Sequence, residues 1–238
     1  MGKAVLCLLL GLLMLSACSP TDSGNGIADH PTPNPKIIVS GYAQVQSPVQ
    51  SGKAAYSITC YLQNQEQSKS NSEFNSATVS VNGIALGRSS DGVFVNVGAM
   101  QFSEGDSLEF VVKHTEIGTI KQVLTVPASV SDYKISPGIP IQNFANGISQ
   151  FVLSWKPVDA NLYYVLTDCY DAREVFLAQY DFSTTADTIA FTVQDSLNNP
   201  YPFLQFYLIS FNSAPVTGFA QGSSFSVMGT YFKTYSNL

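Results

Sequence analysis

Residues 77–86 read Ala77-Thr78-Val79-Ser80-Val81-Asn82-Gly83-Ile84-Ala85-Leu86. Up to Val81 the apolar side chains alternate with small polar ones, the period of two expected of a strand with one buried face. Asn82-Gly83 interrupts the run, and both residues tolerate the positive φ that a two-residue hairpin turn requires. Ile84-Ala85-Leu86 carries the chain back. A hairpin is expected here, and the flanking sequence keeps the same period.

Working outward, Ile37-Ile38-Val39 opens a strand. In Ala54 to Leu62, alternation puts Tyr56, Ile58, Cys60 and Leu62 on one face and Ser57 and Thr59 on the other. Residues 64–75 (NQEQSKSNSEFN) read as a polar loop. Val93 to Val97, Ser107 to Lys113 and Thr119 to Val126 supply further strands, each bounded by Gly or Asp. No segment has the 3.6 period of a helix. About seven short strands in roughly ninety residues argue for an immunoglobulin-like β-sandwich over residues 36–127. Residues 128–140, preceded by Pro127 and containing Pro137 and Pro140, read as a linker short enough to restrict how the two halves sit.

The second half carries Phe151-Val152-Leu153-Ser154-Trp155-Lys156-Pro157-Val158, then Ala160 and Tyr163-Tyr164-Val165. Ile189-Ala190-Phe191-Thr192-Val193, Leu197 and Phe206-Tyr207-Leu208-Ile209-Ser210-Phe211-Asn212 follow. This pattern resembles a fibronectin type III-like domain, here over residues 141–236. The resemblance implies that Trp155-Lys156-Pro157 lies on the second strand, Tyr163-x-Val165 on the third, and Phe206 to Asn212 on the sixth. Phe206 stands where the family usually places a corner tyrosine, and Asn198-Asn199-Pro200-Tyr201-Pro202 is inserted before it. The expected fold class is all-β, with two tandem β-sandwiches.

Residues 1–17 form a leader. Lys3 supplies a positive charge, and Ala4 to Met14 is apolar apart from Gly11, too short to span a bilayer and suited to a signal-peptide core. Leu15-Ser16-Ala17-Cys18 resembles the lipobox of bacterial lipoproteins. By that resemblance Cys18 is the lipidated first residue of the mature chain; the alternative is ordinary cleavage beside a chance cysteine. Each buried CH₂ of an acyl chain contributes about 0.8 kcal/mol, so several chains together anchor a protein durably. Ser19, rather than Asp, follows the cysteine and leans towards the outer membrane of a bacterial cell envelope. With Cys18, residues 18–35 are rich in Ser, Thr, Asp, Gly, Asn and Pro and are expected to be a disordered linker. At about 3.1 Å per residue, such a stalk reaches roughly 50 Å.

Composition bounds the partners. The 238 residues carry a net charge of −6, which becomes −7 when Lys3 leaves with the leader. With so few Lys and Arg the chain has no basic footing on a phosphate backbone, so nucleic acid is not an expected partner. Cys7 leaves with the leader, which puts Cys60 and Cys169 in an oxidising compartment. They could pair across the halves, but each reads as a strand residue within its own half, so separate buried thiols are expected.

No constellation for chemistry emerges. His30 and His114 lack Cys, Asp or Glu neighbours at ligand spacing, so no metal or other cofactor is expected. There is no Gly-x-Ser-x-Gly elbow and no third histidine from which to assemble a hydrolase triad. Glu104, Asp106 and Glu109, and again Asp168, Asp171 and Glu174, cluster as a glycosidase pair would, but in or beside turns where solvated carboxylates are ordinary. Trp155 reads as core rather than as a sugar platform. If Phe206 and Leu208 point inward with Trp155, then Tyr164, Leu166 and Tyr170 of the third strand share an outer face with Tyr207, Ile209 and Phe211 of the sixth. That face is too apolar for a solvated surface, and it marks a binding face, a contact with the first domain, or a one-residue slip in register. The expected function is a lipid-anchored envelope module without catalysis, binding protein or glycan through its sandwich surfaces. The alternatives are an accessory subunit of an outer-membrane complex and, third, an envelope glycoside hydrolase.

Overall fold

A computed structural model describes residues 27–46, 53–66, 68–136, 148–171, 173–194, 203–230 and 232–237. The leader, Cys18 and the start of the stalk lie outside these residues. The chain is all-β, with one short 3-10 helix (Asn71–Ser76) among the described residues. In the first half the strands are β1 (Ile37–Val45), β2 (Ala54–Asn64), β3 (Thr78–Val81), β4 (Ile84–Ala85) and β5 (Gly87–Ser90). They continue with β6 (Val93–Val95), β7 (Met100–Phe102), β8 (Ser107–His114) and β9 (Gly118–Thr125). In the second half come β10 (Tyr133–Ser136), β11 (Ile148–Trp155), β12 (Leu162–Tyr170) and β13 (Phe176–Thr184). The chain closes with β14 (Thr188–Gln194), β15 (Phe203–Pro215), β16 (Ser224–Met228) and β17 (Phe232–Asn237).

The hairpin at residues 77–86 forms in the expected register, with Val81 opposite Ile84 and with Asn82 and Gly83 at φ of 49° and 76°. Asn82 also fastens the turn to β8: its side-chain oxygen accepts from the Glu109 N–H at 2.7 Å, and its amide donates to Ser107 O at 3.0 Å. The polar stretch 64–75 is less featureless than its composition implies. Phe74 within it is wholly buried and lies edge-on to His114 at 5.3 Å, which pins the 3-10 turn over the sheet.

Among the described residues two hydrophobic cores form, each between two sheets. The first sets β1, β2, β6 and β7 against the four-stranded sheet β4-β3-β8-β9 and contains Tyr56, Ile58, Leu62, Phe94, Leu108 and Phe110. The second sets β13-β12-β15 against β10-β11-β14 and contains Phe151, Leu153, Trp155, Tyr163, Val165, Phe191 and Phe206. Trp155 is a core residue, as expected, 5.0 Å from the Tyr163 ring. The Tyr163 hydroxyl in turn accepts from the Val158 N–H and donates to the Val158 carbonyl, closing the corner after Pro157.

The expected boundaries are crossed in three places. Residues 28–32, expected to belong to a disordered stalk, lie along the β8–β9 turn, and Asn34 bridges to Phe219. Thr119 donates its N–H to His30 O and its hydroxyl to Ala28 O, and the Thr32 N–H donates to Ile117 O. Gly118 (φ +65°) makes this possible, since a Cβ there would sit 2.1 Å from His30 O. Extended prolines need no donor of their own, so this polar segment can follow a turn whose N–H groups seek acceptors. Within residues 128–140, expected to be a linker, Val130 is buried in the second core and Tyr133–Ser136 is a strand paired with β11. Composition hid this because the strand is four residues long and flanked by Ser, Asp and Pro.

The third crossing is the largest. β15 is thirteen residues long; its first half pairs with β17 and its last five residues pair with β16. β16 then pairs in parallel with β1, Gly41 opposite Phe225. One sheet therefore runs from β13 through β12, β15, β16 and β1 to β2, and serves both cores. Phe219, Phe225 and Val227, from the C-terminal part of the chain, are buried in the first core. Gly41 is the residue that admits Phe225: a Cβ there would lie 2.7 Å from the ring and 2.8 Å from the Cys60 sulfur.

Candidate functional site

Strands β12 and β15 are antiparallel neighbours with Tyr163 opposite Ser210, Tyr164 opposite Ile209, Val165 opposite Leu208 and Leu166 opposite Tyr207. Tyr163, Val165, Leu204, Phe206 and Leu208 are core residues. Pleating therefore places Tyr164, Leu166 and Tyr170 with Tyr207, Ile209 and Phe211 on the opposite side of the same sheet. The structure brings all six together. Ile209 is buried, and the other five are half-buried. Part of this cover is mutual, since the Tyr164 and Phe211 rings meet edge to face at 6.4 Å. The first half of the chain meets β15 from the core side: Ser210 donates its hydroxyl to Ala128 O at 2.7 Å, and Asn212 donates to Thr125 O at 2.9 Å.

Polar groups are set into this apolar face. Asp168 stands opposite Gln205 across the strand pair and opposite Gln179 of β13. Gln179 donates to Asp168 Oδ1 at 2.7 Å, and the Tyr170 hydroxyl reaches Oδ2 at 3.4 Å. Asp168 is 8% exposed and Gln205 3%, and the Gln205 side-chain nitrogen has no hydrogen-bond partner among the described residues. A buried amide left unpaired costs free energy that a ligand or water oxygen would recover. At the other end of the face the Tyr164 hydroxyl donates to Asp181 Oδ2 at 2.6 Å, and this hydrogen bond pushes the phenol pKa above its ordinary value. The sequence had placed Asp168 beside a turn. It lies within β12, two residues before its end, and only the cross-strand register reveals its neighbours Gln179 and Gln205.

Three other carboxylates singled out by spacing are held within their own turn or hairpin. Asp106 accepts from the Ser103 N–H, Asp171 accepts from the Arg173 and Val175 N–H groups, and Glu109 pairs with Lys121 at 2.7 Å. Glu104 differs, because its partners Ser129 and Thr230 are distant in sequence. His114 is buried at the end of β8; its Nδ1 accepts from the Glu116 N–H, which leaves Nε2 to donate to Glu73 O. Among the described residues no group of three or more His, Cys, Asp or Glu gathers as a metal site. Cys60 lies in the first core and Cys169 in the second, so they are not partners of each other. Burial pushes the Cys60 thiol up to about 12.

Beside the face, the turn into β13 exposes Val175, Phe176 and Leu177 in succession, with Phe176 53% exposed and edge-on to Tyr170 at 6.1 Å. β13 is an edge strand of the large sheet.

These features define an all-β protein of two sandwich cores joined by a common sheet, with a tyrosine-lined face on the second. No family model matches the chain, and no curated protein does. Among solved structures it is similar to a crystal structure of a beta-glycosidase from Bacteroides vulgatus, at 11% identity and a TM-score of 0.27. The likeness covers 84% of this chain and 28% of that one.

Proposed function

We propose that this protein is a lipid-anchored envelope lipoprotein, tethered through Cys18 to the outer membrane, that binds glycan without catalysing a reaction. On this reading the two sandwiches are an immunoglobulin-like and a fibronectin type III-like unit, and the ligand lies on the outer face of β12 and β15. The observation that carries the ligand class is the set of half-buried tyrosines on that face, Tyr164, Tyr170 and Tyr207, with the Tyr164 hydroxyl bonded to Asp181 and the Tyr170 hydroxyl to Asp168. Tyrosine rings cover the apolar faces of sugars, and hydroxyl–carboxylate pairs at the ring edges offer donors and acceptors to sugar hydroxyls. Asp106 and Asp171, tied to turn N–H groups, and Glu109, paired with Lys121, are each engaged by neighbouring groups, which supports a binding module over a hydrolase.

Glycan-array binding of the purified chain, with Tyr207→Ser and Asp168→Ala alongside, tests the proposal. Retained glycan binding in both variants, with folding intact, would remove the face from consideration. A second reading, an accessory subunit of an outer-membrane complex, is supported by Val175, Phe176 and Leu177, an exposed apolar run beside an edge strand. It predicts that Phe176→Ser abolishes co-purification with a membrane partner while glycan binding is absent throughout.

A further inference from the structure

Away from that face, a cavity of about 490 Å³ lies where the two halves meet. This is within the range of small-molecule sites, roughly 300–1,000 Å³. Its floor is apolar: Ala54 and Phe102 face each other across the β2–β7 pair, and the Tyr56 and Phe102 rings meet edge to face at 5.5 Å. Its rim is polar and comes from three separate parts of the chain: Glu104 after β7, Ser129 from the crossing segment, and Thr230 between β16 and β17.

Glu104 is held in place by one oxygen. Its Oε1 accepts from the Ser129 N–H at 2.8 Å, from the Ser129 hydroxyl, and from the Thr230 hydroxyl at 3.2 Å. Burial alone would raise this carboxyl; the Ser129 and Thr230 donors outweigh it and keep the group below its ordinary range, hence ionised. Among the described residues all three donors go to Oε1, and Oε2 is the acceptor a ligand would use. Among the described residues no Lys or Arg lines the cavity. The Tyr56 phenol, pushed up to about 12 by burial and then by the Glu104 and Asp106 charges, stays neutral. The cavity thus joins a fixed negative charge to an aromatic floor, within a chain whose net charge of −6 draws cations towards it.

We infer that this cavity binds a small organic cation, an aryl- or alkylammonium, with the ammonium on Glu104 and the apolar body over Phe102 and Tyr56. Charge-assisted hydrogen bonding and cation–π attraction act together there. Neither a sugar nor an anion fits this lining as well: a sugar would leave the charge unpaired, and an anion would meet Glu104 directly.

The test is calorimetric titration of the purified full chain at neutral pH with 2-phenylethylammonium, and separately with 2-phenylethanol and phenylacetate. The ammonium should bind at least about tenfold more tightly than the alcohol, and phenylacetate should not bind. Amide resonances of Ser129 and Thr230 should shift on saturation. Glu104→Gln should bring the ammonium down to the level of the alcohol, and Ala54→Leu should close the cavity to both. The ligand comparison on the unaltered chain requires no variant to fold. Equal binding of ammonium and alcohol, binding of none of the three, or shifts confined to other residues would each overturn the inference.

Discussion

Phe225 lies near the C-terminus of the chain, yet its side chain belongs to the core built by the N-terminal half. It is wholly buried, 5.0 Å from Phe110, and occupies the space that Gly41 leaves open on β1. Truncating a buried phenylalanine to alanine costs about 3–5 kcal/mol, because transfer free energy is lost and a cavity remains. For a chain of this size each kcal/mol lowers the melting point by roughly 2–4 °C, so Phe225→Ala should melt about 6–20 °C lower. The consequence peculiar to this fold is that the loss should be felt in both cores, since β16 hydrogen-bonds to β1 on one side and to β15 on the other. Trp155, the single tryptophan, reports the second core, while far-UV circular dichroism reports the strands of both. The two signals should move together in thermal and urea unfolding of Phe225→Ala, as one transition. A fragment ending at residue 140 lacks β16 and should not fold. A stable fragment, or a tryptophan transition that stays in place while the dichroism shifts, would refute the shared-sheet argument.

Two further outcomes follow from named groups. The Tyr56 phenol is raised from an ordinary value of 10.0 to about 12, so the folded state holds its proton more tightly than the unfolded one. Its contribution to stability is present below pH 10 and is lost as pH rises through about 12, and urea midpoints should fall across that window. Tyr56→Phe should flatten that fall; an unchanged pH profile in the variant would assign the alkaline loss elsewhere. Cys60, buried with its thiol raised to about 12, should resist alkylation in the native protein at mildly alkaline pH and react only on unfolding. Rapid modification of native Cys60 would show that the first core opens far more readily than its burial implies.

Local signals were legible wherever one face of a strand is buried and the turn chemistry is specific. The Asn82-Gly83 hairpin, the alternation of Tyr56, Ile58, Cys60 and Leu62, and the inward Trp155 needed no tertiary information, because period and positive φ are properties of a few consecutive residues. The same alternation sorted β12 and β15, so the membership of the tyrosine face was readable from sequence. β13 was missed: its burial alternates only between half-buried and exposed, as an edge strand allows, and Val175-Phe176-Leu177 breaks the period at its start.

The sequence by itself thus determined the fold class and the sides of the central strands. Tertiary structure alone decided where the cores draw their strands. Nothing local in Ser224–Met228 says that it lies parallel to β1, because that pairing joins residues some 180 positions apart and depends on the gap at Gly41. The Asp168–Gln205 pair and the Glu104–Ser129–Thr230 rim are likewise products of register and of the junction. A polar side chain carries no mark of the distant partner that will face it; only the closing of the sheet supplies one.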